Sequence, residues 1–326
     1  MASLQTIDTS VWVQHAWRNR LQSLLLLVIM AGFVILLGQL LWGADGMLIL
    51  LVVGLFGVLF SPSFSPWMIM RMYGASRLTP EQSPALWRLV ATLGERAGLS
   101  AQPELYYVPS RMLNAFAVGS KTNAAIGITD GLLRQLDQRE LAGVLAHEIS
   151  HIRSNDLWVM GLADLFSRAT SILSLMGQFL LLVNLPLILF TQVSISWFAI
   201  ALLIFAPHFS ALAQLALSRT REFDADLNAA RLTGDPEGLA RALAKIEQVQ
   251  GGWLERVFLP GRRVPEPSLL RTHPHTEERI ARLMALQPQL AESAMSMLQF
   301  SGAPKMQYAQ YPISRMPRWH VNGLWF

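Results

Sequence analysis

Four long hydrophobic stretches divide the chain into alternating apolar and polar regions. They cover residues 21–42, 47–70, 169–190 and 193–217, and Pro62 and Pro66 interrupt the second of them. A membrane-spanning helix needs about 20 apolar residues, so each stretch is long enough to cross a bilayer. Only short turns separate the two members of each pair. The pattern therefore predicts about four transmembrane helices in two hairpins.

The polar region between the two predicted hairpins has short segments of alternating hydrophobic and polar residues, which are typical of a small folded domain. Amphipathic spacing predicts helices, and short runs rich in β-forming residues predict strands. The predicted elements are a helix at 84–96, strands at 104–108, 114–118 and 124–129, and helices at 131–136 and 138–154. The predicted fold is therefore an α-helical membrane protein that carries an α+β domain.

Five regions follow from this pattern. They are an N-terminal segment with the first hairpin (1–71), a polar region (72–168), the second hairpin (169–217), a second polar region (218–286) and a tail of unassigned role (287–326). Within the second polar region, the Gly- and Pro-rich residues 251–274 predict a loop, and a helix is predicted at 277–286.

Composition and charge support a membrane location. Hydrophobic residues make up 52% of the chain and charged residues only 15%, which is more apolar than a typical soluble domain. The net charge of +4 is modest, and the hairpin turns contain no Lys or Arg. The arginines that flank the stretches are Arg18, Arg20, Arg71, Arg77, Arg153, Arg219 and Arg221. This bias predicts an inner (plasma) membrane protein whose termini and polar regions are cytoplasmic.

The same distribution of charge narrows the classes of partner. Arginines beside apolar helices suit the headgroups of a lipid bilayer better than nucleic acid. The chain has no cysteine, which excludes a disulfide framework and a thiolate metal site.

The predicted helix at 138–154 carries the sequence His147-Glu148-Ile149-Ser150-His151, which has the form H-E-x-x-H. Two histidines four residues apart lie one turn apart on the same face of a helix, so their imidazoles can bind one zinc ion. Glu148 lies beside that face and can reach a water at the metal. The pattern indicates a zinc-dependent peptidase, and a solvated helix face or a structural metal site is the alternative.

A catalytic zinc usually has three protein ligands, so one ligand remains to be found. Glu222 is the best candidate, because it lies with Asp226 at i,i+4 spacing on a charged predicted helix. Asp226 can then orient a ligand imidazole through its free N–H. The alternative is that both carboxylates pair with nearby arginines on a solvated helix. His208, inside the fourth stretch, is expected to make a structural hydrogen bond.

Several motifs together resemble the HtpX-like and CAAX-prenyl-protease-like family of membrane zinc metalloproteases, and the bacterial HtpX-like members fit best. The motifs are Asn114-Ala115-Phe116-Ala117, His147-Glu148-x-x-His151, Ser218-Arg219-x-Arg221-Glu222-Phe223-x-Ala225-Asp226 and Thr272-His273-Pro274. The resemblance covers the chain from the first hydrophobic stretch to about residue 285. It implies a zincin-like catalytic domain on the cytoplasmic side.

The resemblance also implies roles for individual residues. His147, His151 and Glu222 are the implied ligands of one zinc ion per chain, Glu148 the catalytic base, and Asp226 a residue that orients a ligand. Asn114, Ala115, Phe116 and Ala117 form the strand that binds substrate in this family, although the pattern alone is equally typical of a core hairpin. His273 is expected either to donate a hydrogen bond to the oxyanion or to act as a structural cap.

The function expected from these observations is endoproteolysis at the cytoplasmic face of the membrane, and the resemblance implies removal of misfolded membrane proteins. Two alternatives remain: a prenyl-protein protease with the same zinc chemistry, and a non-enzymatic membrane scaffold or chaperone with a vestigial site. The sequence contains no signal for an oligomeric state.

Overall fold

The computed structural model describes residues 9–59, 65–190, 196–249 and 276–286. The chain divides into two compact units. The helical unit comprises residues 17–62 and 158–220, and the sheet unit comprises residues 1–16, 63–157 and 221–326. His273 and the tail from residue 287 lie outside the described residues.

Helices dominate both units, and one small mixed sheet lies in the sheet unit. The helices are α1 (Thr9–Leu59), α2 (Pro66–Met72), α3 (Pro84–Ala97), α4 (Asp130–Gln135), α5 (Gln138–Ser154), α6 (Asp156–Val183), α7 (Leu185–Phe190), α8 (Trp197–Thr233), α9 (Pro236–Val249) and α10 (Thr276–Ala285). The strands are β1 (Ser76–Arg77), β2 (Glu104–Val108), β3 (Ala115–Ser120) and β4 (Asn123–Thr129). The predicted helices and strands of the first polar region are all present, with ends shifted by at most three residues.

The sheet has the strand order β1-β2-β4-β3, so β3 pairs only with β4 within the described part of the chain. β2 and β4 are parallel, and β3 and β4 form an antiparallel hairpin. The N–H of Thr129 donates to the carbonyl of Asn114 at 3.1 Å, which marks a hydrogen-bonded pair. Because hydrogen-bonded pairs alternate along an antiparallel ladder, the backbone groups of Ala115, Ala117 and Gly119 point away from β4, towards the free edge.

The sheet is buried on both faces, which explains why its strands are nearly continuously apolar. Ala115 and Ala117 of β3 face a core that contains α3 and α5, whereas Phe116 and Val118 face a second cluster that contains α2. Gly127 on β4 makes room for Phe116, since a Cβ there would lie 2.8 Å from the Phe116 ring.

Helix α5 is fixed at both ends and along its length. Asp137 and Glu140 form a capping box at its start, and Asn155, with a φ of 58°, ends it in the left-handed conformation. Gly143 allows α9 to approach, because a Cβ at this position would lie 2.8 Å from the backbone of Leu239. These contacts hold the H-E-x-x-H segment on a rigid, buried helix.

Helix α2 corresponds to the end of the second predicted hydrophobic stretch, but it belongs to the sheet unit. Met70 is fully buried in the cluster that contains Phe116 and Val118. Residues 66–70 therefore pack on the sheet instead of continuing a membrane span, which corrects the predicted end of that stretch.

Three helices are long and apolar enough to span a membrane within the residues that the structure describes. They comprise residues Trp17–Asp45, Asp156–Val183 and Trp197–Thr233. They overlap the first, third and fourth predicted stretches, although the second of these helices begins 13 residues earlier than predicted and the third ends 16 residues later. The second stretch, 47–70, lies mostly where side chains are not described. The backbone of α1 leaves helical geometry at Gly43 (φ 65°), where the first hairpin turn is predicted.

A polar cluster joins α6 and α8 inside the helical unit. Pro207 lies within α8 and has no N–H to donate, which frees the carbonyl of Leu203 one turn earlier. Ser174 Oγ and Gln178 Nε2 of α6 both donate to this carbonyl, the latter at 3.1 Å. His208 donates from Nδ1 to the carbonyl of Ile204 at 2.9 Å, in line with the structural hydrogen bond expected of it.

Candidate active site

The two histidines of the H-E-x-x-H segment and Glu222 converge at one buried point. His147 and His151 lie one turn apart on α5, and their Nε2 atoms are 3.1 Å apart. Glu222, on α8, lies with Oε2 3.5 Å from His147 Nε2 and with Oε1 3.6 Å from His151 Nε2. The three donor atoms lie within 4.8 Å of one another. The structure therefore brings together the three residues expected to bind a metal.

The spacing of these donors fits a tetrahedrally coordinated ion. Bonds of about 2.05 Å at tetrahedral angles place neighbouring ligand atoms about 3.3 Å apart. The two imidazole nitrogens are 3.1 Å apart, and each lies close to one oxygen of Glu222, His147 Nε2 to Oε2 at 3.5 Å and His151 Nε2 to Oε1 at 3.6 Å. Two imidazole nitrogens and one carboxylate oxygen are also the donor set of many catalytic zinc sites. These residues could therefore hold zinc without rearrangement of the backbone.

A carboxylate contacts the Nδ1 atom of each imidazole and orients the ring. His147 Nδ1 lies 3.0 Å from Asp226 Oδ1, and His151 Nδ1 lies 2.7 Å from Asp156 Oδ2. These contacts leave Nε2 of both rings turned towards Glu222. Such carboxylate–imidazole pairs fix the tautomer and the orientation of a metal ligand. The sequence pointed to Asp226 but not to Asp156, whose only local signal is its position just after the end of α5.

Two buried arginines neutralise these carboxylates. Arg279, on α10, donates two hydrogen bonds of 2.7 Å to Asp226 and lies 3.2 Å from Glu222. Arg221 donates from Nε to Asp156 at 2.6 Å. No pattern in the sequence pointed to Arg279, and Arg221 was predicted only as a residue that flanks a hydrophobic stretch and belongs to a family motif. Both are almost fully buried.

The ionisation of this cluster follows from its contacts. Burial alone would lower the pKa of His147, but its hydrogen bonds to Asp226 and Glu222 outweigh burial and raise that pKa to about 10. Burial would raise the pKa of Asp226, but the charge of Arg279 and the hydrogen bonds from it hold that pKa below its usual value. Burial opposes the charged form of Arg279, and the charges of Asp226 and Glu222 overcome it and raise its pKa. The buried groups are therefore charged and mutually dependent.

Glu148 connects the site to the edge of the sheet. Its Oε2 accepts a hydrogen bond of 3.0 Å from the backbone N–H of Ala117 on β3. This N–H is one of the groups at the free edge of the strand. The carboxylate of the residue that follows His147 is thus held at a strand edge that an extended peptide could pair with.

The segment expected to bind substrate contributes through its backbone. The N–H of Asn114 donates to Thr129 Oγ1 at 3.0 Å, which anchors the start of β3. The ring of Phe116 is buried against Tyr73, with the ring centroids 4.9 Å apart. Ala115 and Ala117 present backbone groups at the free edge. His273 lies outside the described residues, and its expected role stays a prediction.

Known proteins are similar to this chain over most of its length. The model of the family described as "Peptidase family M48" matches residues 80–287. The chain belongs to peptidase family M48. Its relatives include a "Protease HtpX homolog" of Sulfurihydrogenibium sp. (strain YO3AOP1), which is 35% identical over 82% of this chain and 96% of the relative. Another, from Aquifex aeolicus (strain VF5), is 36% identical over 81% of this chain and 92% of the relative.

Among solved structures, S. mikatae Ste24p is similar over 83% of this chain and 67% of its own length, with 21% identity and a TM-score of 0.47. The family and its HtpX relatives confirm the resemblance found in the sequence. This M48 protein is a membrane metallopeptidase that acts on polypeptides. Its H-E-x-x-H segment lies inside the matched range, as does Glu222.

Proposed function

We propose that this chain is a zinc-dependent endopeptidase that cleaves polypeptides at the cytoplasmic face of the inner membrane. One zinc ion per chain is held by His147, His151 and Glu222. The observation that carries the proposal is the convergence of two imidazole nitrogens, 3.1 Å apart, with the carboxylate of Glu222, one oxygen of which lies within 3.6 Å of each nitrogen. The absence of thiols from the chain agrees with a site built from imidazole and carboxylate.

Asp226 and Asp156 hold the ligands in position. Each accepts a hydrogen bond from the Nδ1 of one ligand histidine, which directs Nε2 into the site. When bound, the metal supplies Lewis acidity, which lowers the pKa of a water and polarises the scissile carbonyl. The chain's own residues must then move the proton and hold the substrate.

Glu148 is the proposed general base. Glu148 directly follows the ligand His147 on α5, and its carboxylate is bonded to the β3 edge, so it can serve both the attacking water and the scissile amide. It takes the proton from the water and delivers it to the leaving amine. The same carboxylate thus carries the proton from the attacking water to the leaving amine.

Strand β3 is the proposed substrate platform. A substrate that pairs with the free edge would align its backbone with Ala115 and Ala117, close to Glu148. Pairing through the backbone holds an extended chain without demanding a particular side chain. Such a mode suits a protease that accepts many polypeptides. Misfolded membrane proteins are the proposed substrates, since their extended segments would be available at the membrane surface.

The cytoplasmic location rests on charge. Arginines flank the hydrophobic stretches on the side of both polar regions, and the predicted hairpin turns have none. Cytoplasmic placement of the sheet unit follows from this bias.

The metal content and proteolytic activity of detergent-purified full-length protein test the proposal. Wild type should contain about one zinc per chain and cleave casein, and a chelator should stop the cleavage. Glu148→Gln should retain the zinc and lose turnover, because it keeps the shape of the side chain but removes the base. Glu222→Ala should lose zinc as well as activity.

Each outcome discriminates between explanations. Casein cleavage by Glu148→Gln would refute the assignment of the base, and unchanged zinc content in Glu222→Ala would remove that residue from the ligand set. A zinc-loaded wild type that cleaves only prenylated peptides would favour the prenyl-protein protease alternative.

A further inference from the structure

Most of the exposed large hydrophobic side chains in the described part of the sheet unit lie on the short helix α2. Five large hydrophobic residues are exposed in the described part of this unit, and three of them, Trp67, Met68 and Met72, lie on α2. The opposite side of α2 is buried, with Pro66 and Met70 packed towards the sheet. An exposed apolar face on an otherwise polar unit marks a contact surface.

A cavity adjoins this face. Its volume is about 480 Å³, within the usual range for small-molecule sites. It is lined by Trp67, Arg71, Ala75, Arg77, Glu104 and Tyr106. Aromatic and cationic side chains therefore surround a space of the size that a polar headgroup would need.

The two arginines that line the cavity differ in their partners. Arg77 pairs with Glu104 at 2.7 Å, and the hydroxyl of Tyr106 donates to the same carboxylate at 2.9 Å. Arg71 makes no ion pair among the described residues, and its guanidinium lies 5.3 Å from the centroid of the Trp67 ring. The only carboxylate of the lining is thus engaged, while one arginine remains available for an anion.

The chemistry of this surface matches the boundary between membrane and water. Tryptophan is enriched at that boundary, and arginine there binds anionic lipid phosphates. In the sequence, α2 forms the end of the second predicted hydrophobic stretch, and the chain is a membrane protein. We infer that α2 lies on the membrane surface and that its cavity binds the phosphate of an anionic phospholipid headgroup, with Arg71 as the cation and Trp67 and Met68 inserted beside it.

Single-cysteine labelling of the full-length protein in nanodiscs tests the location of α2. The natural chain contains no cysteine, so Met68→Cys and Met284→Cys each carry one label without further changes. Both methionines belong to the sheet unit and are similarly exposed, at 41% and 39%, which makes Met284 a matched control. The emission of a polarity-sensitive dye at position 68 should shift to the blue, and quenchers attached to lipid chains should reduce its intensity. The same dye at position 284 should report water.

The headgroup site has its own test. Three proteins are compared: wild type, Arg71→Gln and the control Arg88→Gln, which changes an exposed arginine of α3. Each is incubated with a mixture of phosphatidylglycerol and phosphatidylcholine, and native mass spectrometry measures how much of each lipid stays bound. Arg71→Gln should lose about fivefold in its preference for the anionic lipid, because one arginine near a charged membrane contributes about that factor. Arg88→Gln should behave like wild type.

Three results would overturn the inference. A water-exposed label at position 68 would remove α2 from the membrane. Lipid contact there with an unchanged lipid preference in Arg71→Gln would exclude a headgroup site. A blue-shifted label at position 68 that lipid-attached quenchers do not quench would identify a protein partner or a second copy instead. None of these results depends on zinc or on turnover, so they are independent of the proposed catalytic chemistry.

Discussion

Replacement of Arg279 by Gln is the most direct test of how the active site is held together. The guanidinium is only 3% exposed and contacts Asp226 through two hydrogen bonds of 2.7 Å, with Glu222 at 3.2 Å. Glutamine retains part of the bulk and removes the charge. The variant therefore leaves two buried carboxylates with one cation fewer.

The size of the effect follows from this geometry. Removal of one partner from a buried ion pair costs about 3–5 kcal/mol, because the remaining charge stays desolvated. For a folded unit of this size, each kcal/mol lowers the melting temperature by about 2–4 °C. The metal-free variant should therefore melt roughly 10 °C below wild type. Bound zinc should reduce this difference, because it supplies positive charge to Glu222.

Arg282→Gln, three residues further along α10, is the control. Its side chain is half exposed, pairs with Glu278 at 2.8 Å and lies over the ring of Phe223 at 3.7 Å. Surface contacts of this kind contribute about 1 kcal/mol or less. Arg279→Lys should fall between wild type and Arg279→Gln, because it restores a charge but not the two-pronged hydrogen bonding.

Differential scanning fluorimetry of the full-length protein in detergent, with chelator and then with zinc, measures these differences. Equal melting temperatures for Arg279→Gln and Arg282→Gln would refute the reasoning. So would a zinc-independent difference between Arg279→Gln and wild type, since it would show that the guanidinium acts away from the metal ligands.

Three further predictions concern the metal and the packing of α5. Asp156→Asn should weaken zinc binding about 10- to 100-fold in chelator competition, because His151 loses the carboxylate that orients it; an unchanged affinity would show that this contact is dispensable. The raised pKa of His147, about 10, means that a metal displaces a proton, so zinc affinity should rise about tenfold per pH unit from pH 7 to 9; a flat profile in calorimetry would contradict that pKa. Gly143→Ala should destabilise the protein by about 1–3 kcal/mol through its contact with α9, whereas Gly161→Ala, with open space around it, should not; equal melting temperatures would disprove the close approach.

The local pattern of the chain was sufficient for the helix of the active site and for its two histidines, whereas the choice of Glu222 as third ligand also needed the resemblance to a known family. His147 and His151 share a face because of their i,i+4 spacing, and Glu222 and Asp226 repeat this spacing on α8. Periodicity also placed the strands, since period-2 and period-3.6 patterns follow directly from backbone geometry. These features could be predicted because each depends on residues within a few turns of one another.

The supporting residues could not be predicted in the same way. Arg279 lies 53 residues after Asp226, and Arg221 lies 65 residues after Asp156. No periodicity links positions that are brought together only by tertiary packing. A buried arginine in a sequence has the same appearance as a solvated one, so Arg279 was indistinguishable from the exposed Arg282 on the same helix. The end of the second hydrophobic stretch was misplaced for a related reason, because Met70 is equally compatible with lipid and with a protein core.

The charges of the site explain why it should select a divalent cation. Glu148, Glu222 and Asp226 each carry a negative charge around the donor atoms, and Arg279 compensates one of them. Arg221 belongs to a separate cluster, in which it donates to Asp156 and lies 3.6 Å from Asp224. With neutral imidazoles, two negative charges remain in a place that water barely reaches, and burial of such charge is unfavourable unless a cation balances it. A divalent ion supplies that balance at the point where the three ligand atoms converge, whereas in its absence a proton on His147 supplies only half of it.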